Sequence, residues 1–151
     1  MNKKPVVDVL IIDDDPEFSK FVVGVAESVG LSVVSLKSSL DFKAEFEAHY
    51  PRVVVLDIAM PGVDGVQIAQ WLGQQHTQQG WTGRVILVTG YGVDFIRLCS
   101  SIAALSGLEK VHGLSKPIEH GALALALLGD GDGKSGHEPS GGPRAARGST
   151  C

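Results

Sequence analysis

The sequence predicts an α/β domain with a doubly wound, five-stranded parallel sheet, and three observations support this fold class. Five short apolar runs, several rich in Val and Ile, alternate with five segments whose apolar residues recur at helical spacing. The runs at 6–12, 53–56 and 85–88 are almost continuously apolar, which is typical of strands covered on both faces. The chain has 151 residues, a length that suits one open sheet better than a closed eight-unit barrel.

The alternation gives a predicted order of strand and helix repeated five times, with right-handed crossovers and helices on both faces of the sheet. The predicted strands are residues 6–12, 31–36, 53–56, 85–88 and 111–114. The predicted helices are residues 16–29, 38–49, 65–75, 94–106 and 117–128.

The first helix has the clearest boundaries. Asp15 is a suitable N-cap, Pro16 fits the first helical position, and Gly30 can end the helix. Its apolar face is formed by Phe18, Phe21, Val22, Val25 and Val29.

The other helices are predicted from their apolar spacing. Helix 38–49 is a weaker case with only Phe42 and Phe46, and helix 117–128 is the most apolar. In helix 65–75 the apolar face is formed by Val66, Ala69 and Leu72. In helix 94–106 it is formed by Phe95, Leu98, Cys99, Ile102 and Leu105, with Gly107 as a stop.

Composition excludes several classes of protein. The net charge of −4 and the pI near 5.7 argue against a nucleic-acid-binding surface. The two cysteines, Cys99 and Cys151, indicate neither a disulfide framework nor a metal-ligand spacing. No apolar run approaches the ~20 residues of a membrane span, and the N-terminus does not read as a signal peptide. We therefore expect a cytoplasmic protein that binds neither nucleic acid nor membrane.

The composition changes after residue 128. Residues 129–151 are rich in Gly, Ser and Pro and have no apolar period, which is typical of a flexible tail. The predicted organisation is a domain of residues 1–128 followed by a tail of residues 129–151.

Polar side chains follow four of the five predicted strands. Asp13 and Asp14 follow the first strand, Asp57 the third, Thr89 the fourth and Lys116 the fifth. In the strand order 2-1-3-4-5 these four strands are contiguous, and ligands of open α/β sheets bind at the carboxyl ends of the strands. We therefore expect these groups to meet at one edge of the sheet.

Their chemistry points to phosphoryl transfer. Carboxylates held close together either share a proton or bind a cation, and oxygen ligands with partial hydration suit Mg²⁺. A metal, a lysine, a hydroxyl and a carboxylate nucleophile are the groups needed to move a phosphoryl group onto a carboxylate. Pro61, Gly62 and Gly65 predict a turn directly after Asp57.

Four motifs in order, "VLIIDDDP", "VVVLDIAMPGVDG", "VILVTG" and "LSKPI", resemble the receiver domain of bacterial two-component response regulators over roughly residues 6–128. The resemblance implies the flavodoxin-like (βα)5 form of the predicted fold. For the metal, it implies that Asp14 and Asp57 bind Mg²⁺ directly. It also implies that Asp13 acts largely through a bound water and that the backbone carbonyl of Ala59 completes the protein ligands.

The same resemblance implies roles in phosphoryl transfer. It makes Asp57 the phosphoacceptor, Thr89 the switch hydroxyl and Lys116 the partner of the phosphoryl group, with a cis bond between Lys116 and Pro117. The family often has Tyr or Phe three residues before this lysine, where this chain has Gly113. The stretch "IAALSGLEKVHGLSKPI" is similar to a subgroup often fused to cyclic-di-GMP phosphodiesterase domains.

The resemblance also implies partners. A sensor histidine kinase or phosphotransfer protein would donate the phosphoryl group, and an output protein would receive the signal, without multiple-turnover catalysis by this chain.

Four leucines point in different directions around the last predicted helix, so some should stay exposed. They are Leu123, Leu125, Leu127 and Leu128. We expect helices 94–106 and 117–128 to form a homodimer or to dock a partner.

Two alternatives have other functions. A haloacid-dehalogenase-like phosphatase also uses a strand-end Asp, Mg²⁺, a hydroxyl and a Lys, but its first motif requires Thr or Val where this chain has Glu17. A binding module on the same fold would act without phosphorylation. Turnover of a phosphomonoester would indicate the first alternative, and lack of labelling by a phosphodonor would indicate the second.

Overall fold

The computed structural model of the chain describes residues 7–38, 40–58, 65–90, 93–129 and 148–150. One sheet has the strand order β2-β1-β3-β4-β5-β6. Its strands are β1 (Val9–Ile12), β2 (Val33–Leu36), β3 (Val53–Asp57), β4 (Arg84–Thr89), β5 (Val111–Ser115) and β6 (Gly148–Thr150). The helices are α1 (Pro16–Ser28), α2 (Phe42–His49), α3 (Gly65–Gln79), α4 (Val93–Leu105) and α5 (His120–Leu128).

The predicted five-stranded parallel sheet is confirmed, with its order 2-1-3-4-5. The additional strand β6 pairs antiparallel with β5, so that Ser149 lies opposite Gly113. Antiparallel pairing at a sheet edge uses backbone groups alone, and the residues of β6 carry no apolar pattern that predicts it. The rest of the predicted tail, residues 130–147 and 151, lies outside the described residues, so the division at residue 128 stays a prediction.

Two apolar layers enclose the sheet, one on each face. Strand β1 supplies both, because Leu10 and Ile12 belong to one core cluster while Val9 and Ile11 belong to the other. Helices α2, α3 and α4 contribute to the first cluster, and α1 and α5 contribute to the second. Burial on both faces explains why the strands are continuously apolar. No helix of the described ranges is long and apolar enough to cross a bilayer.

Four helices differ from their predicted form, and two of them, α2 and α5, only begin later than predicted, at Phe42 instead of residue 38 and at His120 instead of residue 117. Helix α3 continues to Gln79, because the residues after 75 end with two glutamines, which are good helix formers, and Gly80 with a φ of +80° follows them. Among the α4 side chains that the structure describes, Ser100 and Ala103 are buried, whereas Leu105 is 86% exposed. Leu105 thus faces solvent while small residues face the core, so the predicted placement of Leu105 on the buried face is wrong.

Candidate functional site

The carboxyl ends of four adjacent strands form the candidate site. Asp57 and Thr89 are the last residues of β3 and β4, while Asp13 and Lys116 directly follow β1 and β5. The register places Thr89 opposite Ser115, the residue before Lys116. Asp13, Asp57 and Thr89 are buried. The predicted meeting of these groups at one sheet edge follows from this register.

Three carboxylates lie together at this edge. Asp13, Asp14 and Asp57 each offer an oxygen atom, and these atoms lie within 4.8 Å of one another. Asp13 and Asp57 are buried, and Asp14 is exposed to solvent. An all-oxygen donor set with a side open to water fits Mg²⁺, which keeps several waters when it binds to proteins. Ala59, the fourth predicted ligand, lies outside the described residues.

Lys116 joins the two buried carboxylates. Its Nζ lies 3.3 Å from Asp13 Oδ2 and 3.4 Å from Asp57 Oδ2. The same Nζ lies 4.3 Å from the centroid of the Phe18 ring. The ammonium is therefore held between two negative charges and an aromatic face.

Burial and neighbouring charges shift two pKa values. Burial raises the pKa of Asp13 above its usual 3.8, and the charge of Asp57 raises it further, although the Asp15 N–H and Lys116 act in the opposite direction. Burial by itself lowers the pKa of Lys116. The charges of Asp57 and Asp13, with the hydrogen bonds to both, outweigh burial and raise the pKa of Lys116 above 10.5.

Asp13 also fixes the start of α1. Its Oδ1 accepts a hydrogen bond from the Asp15 N–H at 2.8 Å, and Asp15 Oδ1 accepts one from the Glu17 N–H at 3.0 Å. The second bond is the N-cap predicted from the sequence, and Pro16 occupies the first helical position as expected. The first turn of α1 is thus tied to the carboxylate site.

Two backbone features fix the part of the site formed by the ends of β4 and β5. The Lys116 N–H donates to the Thr89 carbonyl at 2.9 Å, which links the end of β4 to the lysine. The Lys116–Pro117 bond is cis, as the resemblance implies.

A close backbone approach follows β3. A Cβ atom on Gly65 would lie 2.7 Å from Ile58 Cα, so the start of α3 can meet the end of β3 only without a side chain there. Residues 59–64 between them, where Pro61 and Gly62 predict a turn, lie outside the described residues.

Sequence reasoning found most of this constellation. The structure brings Asp13, Asp14, Asp57 and Lys116 together and places Thr89 at the adjoining strand end. The contribution of Phe18 was not predicted. Helical spacing predicts that Phe18 is buried, but it carries no signal that the ring faces an ammonium group.

Comparisons with known proteins agree with this geometry. Residues 9–127 match the response regulator receiver domain family. The chain is 36% identical over 84 residues to the C4-dicarboxylate transport transcriptional regulatory protein DctD of Pseudomonas aeruginosa, covering 56% of this chain and 17% of DctD. It is 26% identical over 123 residues to the photosynthetic apparatus regulatory protein RegA of Cereibacter sphaeroides, covering 82% of this chain and 62% of RegA. The chain therefore spans less than two thirds of either relative.

Solved structures show the same fold. A CheY-like response regulator receiver domain protein from Methanospirillum hungatei superimposes with a TM-score of 0.66 at 20% identity, covering 82% of this chain and 92% of that one. The chemotaxis protein CheY4 of Vibrio cholerae gives a TM-score of 0.67 at 17% identity, covering 82% and 97%. The sequence relatives favour a receiver and give no support to the phosphatase alternative. Because the family match extends through all five parallel strands, this chain belongs to the response regulator receiver family and is a phosphorelay receiver domain.

Proposed function

We propose that Asp57 accepts the phosphoryl group. The observation that carries the proposal is that Asp57 ends a buried strand within reach of both Lys116 and the other two carboxylates. In the proposed step a carboxylate oxygen of Asp57 attacks the phosphorus of the donor. The bond from phosphorus to the donor's leaving atom breaks, that atom keeps the electron pair, and an acyl phosphate forms on Asp57.

We assign the metal ligands to Asp13, Asp14 and Asp57, with the carbonyl of Ala59 as the fourth protein ligand. Receiver domains typically bind Mg²⁺ through such acidic residues, and the three oxygen donors lie within 4.8 Å of one another. When bound, Mg²⁺ supplies positive charge to the oxygens of the transferred phosphoryl group. The carboxylates of the chain hold that charge at the sheet edge.

The two remaining site residues act on the phosphorylated protein in this proposal. Lys116 already pairs with Asp57 at 3.4 Å, and a phosphoryl group on Asp57 offers it a stronger, charge-assisted hydrogen bond. Thr89 contributes its hydroxyl from the adjoining strand end. With Gly113 in place of an aromatic residue, no ring at that position of β5 can move when Thr89 responds.

Receiver domains interact with histidine kinases or phosphotransfer proteins and with output domains. For this chain we propose a phosphohistidine of a sensor kinase or phosphotransfer protein as the donor, in the cytoplasm, and an output protein bound by contact. The chain would be phosphorylated once and hydrolyse its acyl phosphate slowly, and would not turn over substrate as an enzyme does. The transcriptional roles in the names of DctD and RegA belong to those longer proteins.

Incubation with acetyl phosphate and Mg²⁺ tests the function. We expect the addition of one phosphoryl group per chain by intact-mass spectrometry, lost on treatment with hydroxylamine as expected for an acyl phosphate. A parallel assay with p-nitrophenyl phosphate should show no multiple turnover. Sustained turnover would support the phosphatase alternative, and no labelling with either acetyl phosphate or phosphoramidate would support the phosphorylation-independent module.

We also propose that α5 contributes to a homodimer interface. Its Leu125 and Leu128 are 62% and 51% exposed, while Leu123 and Leu127 are buried. Helix α4 presents Leu105, which is 86% exposed. The two helices pack on opposite faces of the sheet beside β5, and exposed apolar side chains along one sheet edge are typical of contact surfaces. Strand β6 occupies the edge of β5, so a second copy cannot pair with β5 directly, and we expect it to contact the helices.

Replacement of Leu125 or Leu128 with Arg should weaken the homodimer. Sedimentation velocity should show a lower dimer fraction for both variants, with and without beryllofluoride, a mimic of the phosphoryl group. Each substitution adds a charge to the apolar contact. Leu40→Arg is the matched control, since Leu40 is 89% exposed and precedes α2, which packs against β1, whereas α4 packs against β4 and β5 toward the other edge of the sheet. Unchanged association of the Leu125 and Leu128 variants would contradict the interface.

A further inference from the structure

Phe18 contacts the lysine of the site through the face of its ring. The Nζ of Lys116 lies 4.3 Å from the ring centroid, which is well inside the range of a cation–π interaction. Phe18 is only 9% exposed, so little water separates the ring from the ammonium. The interaction is stronger at such a site than on an open surface.

The position of the ring is fixed by the site itself. Phe18 lies in the first turn of α1, whose N-cap is Asp15. The Asp15 N–H donates to Asp13, and Asp13 also pairs with Lys116. Asp13, the start of α1, Phe18 and Lys116 therefore form a closed set of contacts.

The simpler interpretation is that Phe18 only fills the core. It belongs to the apolar cluster between α1, α5 and the sheet, and its ring lies 6.0 Å from that of Phe21. A side chain that only fills space could be replaced by a leucine without an effect on Lys116. The two interpretations therefore make different predictions for the lysine.

We propose that Phe18 is a positioning residue for Lys116, holding the ammonium beside Asp57 in the resting protein and during its turn toward a phosphoryl group. The inference rests on the proposed role of Asp57. An ammonium has three N–H donors, and Asp13 and Asp57 lie near two of them. The ring attracts the cation through its quadrupole and needs no particular N–H direction. The ammonium can thus reorient on the ring face without losing this attraction.

The resting protein gives the first test, which begins with the parent and then compares two variants at position 18. Cε of Lys116 is bonded to Nζ, which lies 4.3 Å from the ring centroid, so we expect the NMR signals of the Cε protons to be shifted upfield by the ring current. The shift should disappear in Phe18→Leu and remain in Phe18→Tyr. Signals at the ordinary position of a lysine in the parent protein would overturn the proposal.

The second test measures how well the site holds a phosphoryl mimic. We expect Phe18→Leu to raise the beryllofluoride concentration for half-saturation about three- to tenfold, with Phe18→Tyr close to the parent and Phe21→Leu as the core control. In a Lys116→Met background the same Phe18→Leu change should have no effect, because no cation remains to be positioned. If Phe18→Leu raised the half-saturation concentration equally in the parent and in the Lys116→Met background, Phe18 would only fill the core. An equal rise in Phe21→Leu would mean the same.

The two proposals fail in different ways. If the parent formed no beryllofluoride complex and no acyl phosphate, the role of Asp57 would be wrong, and with it the action of Phe18 on a phosphorylated site. If the parent bound the mimic while Phe18→Leu bound it equally well, only the role of Phe18 would be wrong.

Discussion

Asp57→Asn should abolish labelling by acetyl phosphate, in the largest change of activity that we expect from a single substitution. The amide has nearly the shape of the carboxylate, but it is not a nucleophile toward phosphorus. Asp57 is buried at the end of β3, where its neighbours hold it in place. The variant should therefore fold normally and fail only in chemistry.

Intact-mass spectrometry and peptide mapping measure this result. Asp41→Asn is the matched control, because Asp41 precedes α2, is exposed, and makes no side-chain capping bond there. The control should label as the parent does. Labelling of Asp57→Asn at the parental rate would show that another group, such as Asp14, is the acceptor.

The sequence predicted most of the fold because burial on two faces leaves a strong pattern. Strands such as β1 and β3 are continuously apolar, and the boundaries of α1 follow from Asp15, Pro16 and Gly30. The placement of Leu105 on the buried face of α4 was wrong for a physical reason. Periodicity assumes that large apolar residues face the core, whereas the buried side chains there include Ser100 and Ala103.

The site could be predicted at the level of which strand ends meet, because polar residues at those ends interrupt apolar runs. The contacts within it could not. Nothing in the sequence states that Lys116 lies between Asp13 and Asp57, or that the Phe18 ring lies against it, since both depend on side-chain directions set by packing. Strand β6 was also missed, because its pairing depends on backbone groups at a sheet edge.

Asp13→Asn should raise the thermal stability of the metal-free protein at neutral pH. Burial, and after it the charge of Asp57, raise the pKa of Asp13 in the folded protein. The Asp15 N–H and Lys116 lower this pKa, but they do not outweigh the increase. A carboxyl with a raised pKa favours folding while it is protonated, and this stability is lost as the pH rises through its folded pKa. At neutral pH the parent has lost that contribution, and the neutral amide of Asn avoids the loss.

Differential scanning calorimetry in EDTA measures the effect. For a chain of this length, about 1 kcal/mol of stability corresponds to a change of about 2–4 °C in Tm, and we expect an increase of this order. The advantage of the variant should shrink as the pH is lowered toward the ordinary pKa of Asp, because Asp13 then becomes neutral in the parent. Asp14→Asn should show the same sign with a smaller increase, since Asp14 is exposed.

Addition of Mg²⁺ should reverse the order of thermal stability between the parent and the variants at positions 13 and 14. Binding to the folded state stabilises the parent by mass action, and the cation relieves the repulsion among Asp13, Asp14 and Asp57. The variants at positions 13 and 14 have lost part of the donor set, so their Tm should increase less on addition of Mg²⁺, while Asp41→Asn should respond as the parent does. An equal increase in all four proteins would mean that Mg²⁺ acts elsewhere. No increase in the parent would count against a metal site formed by these carboxylates.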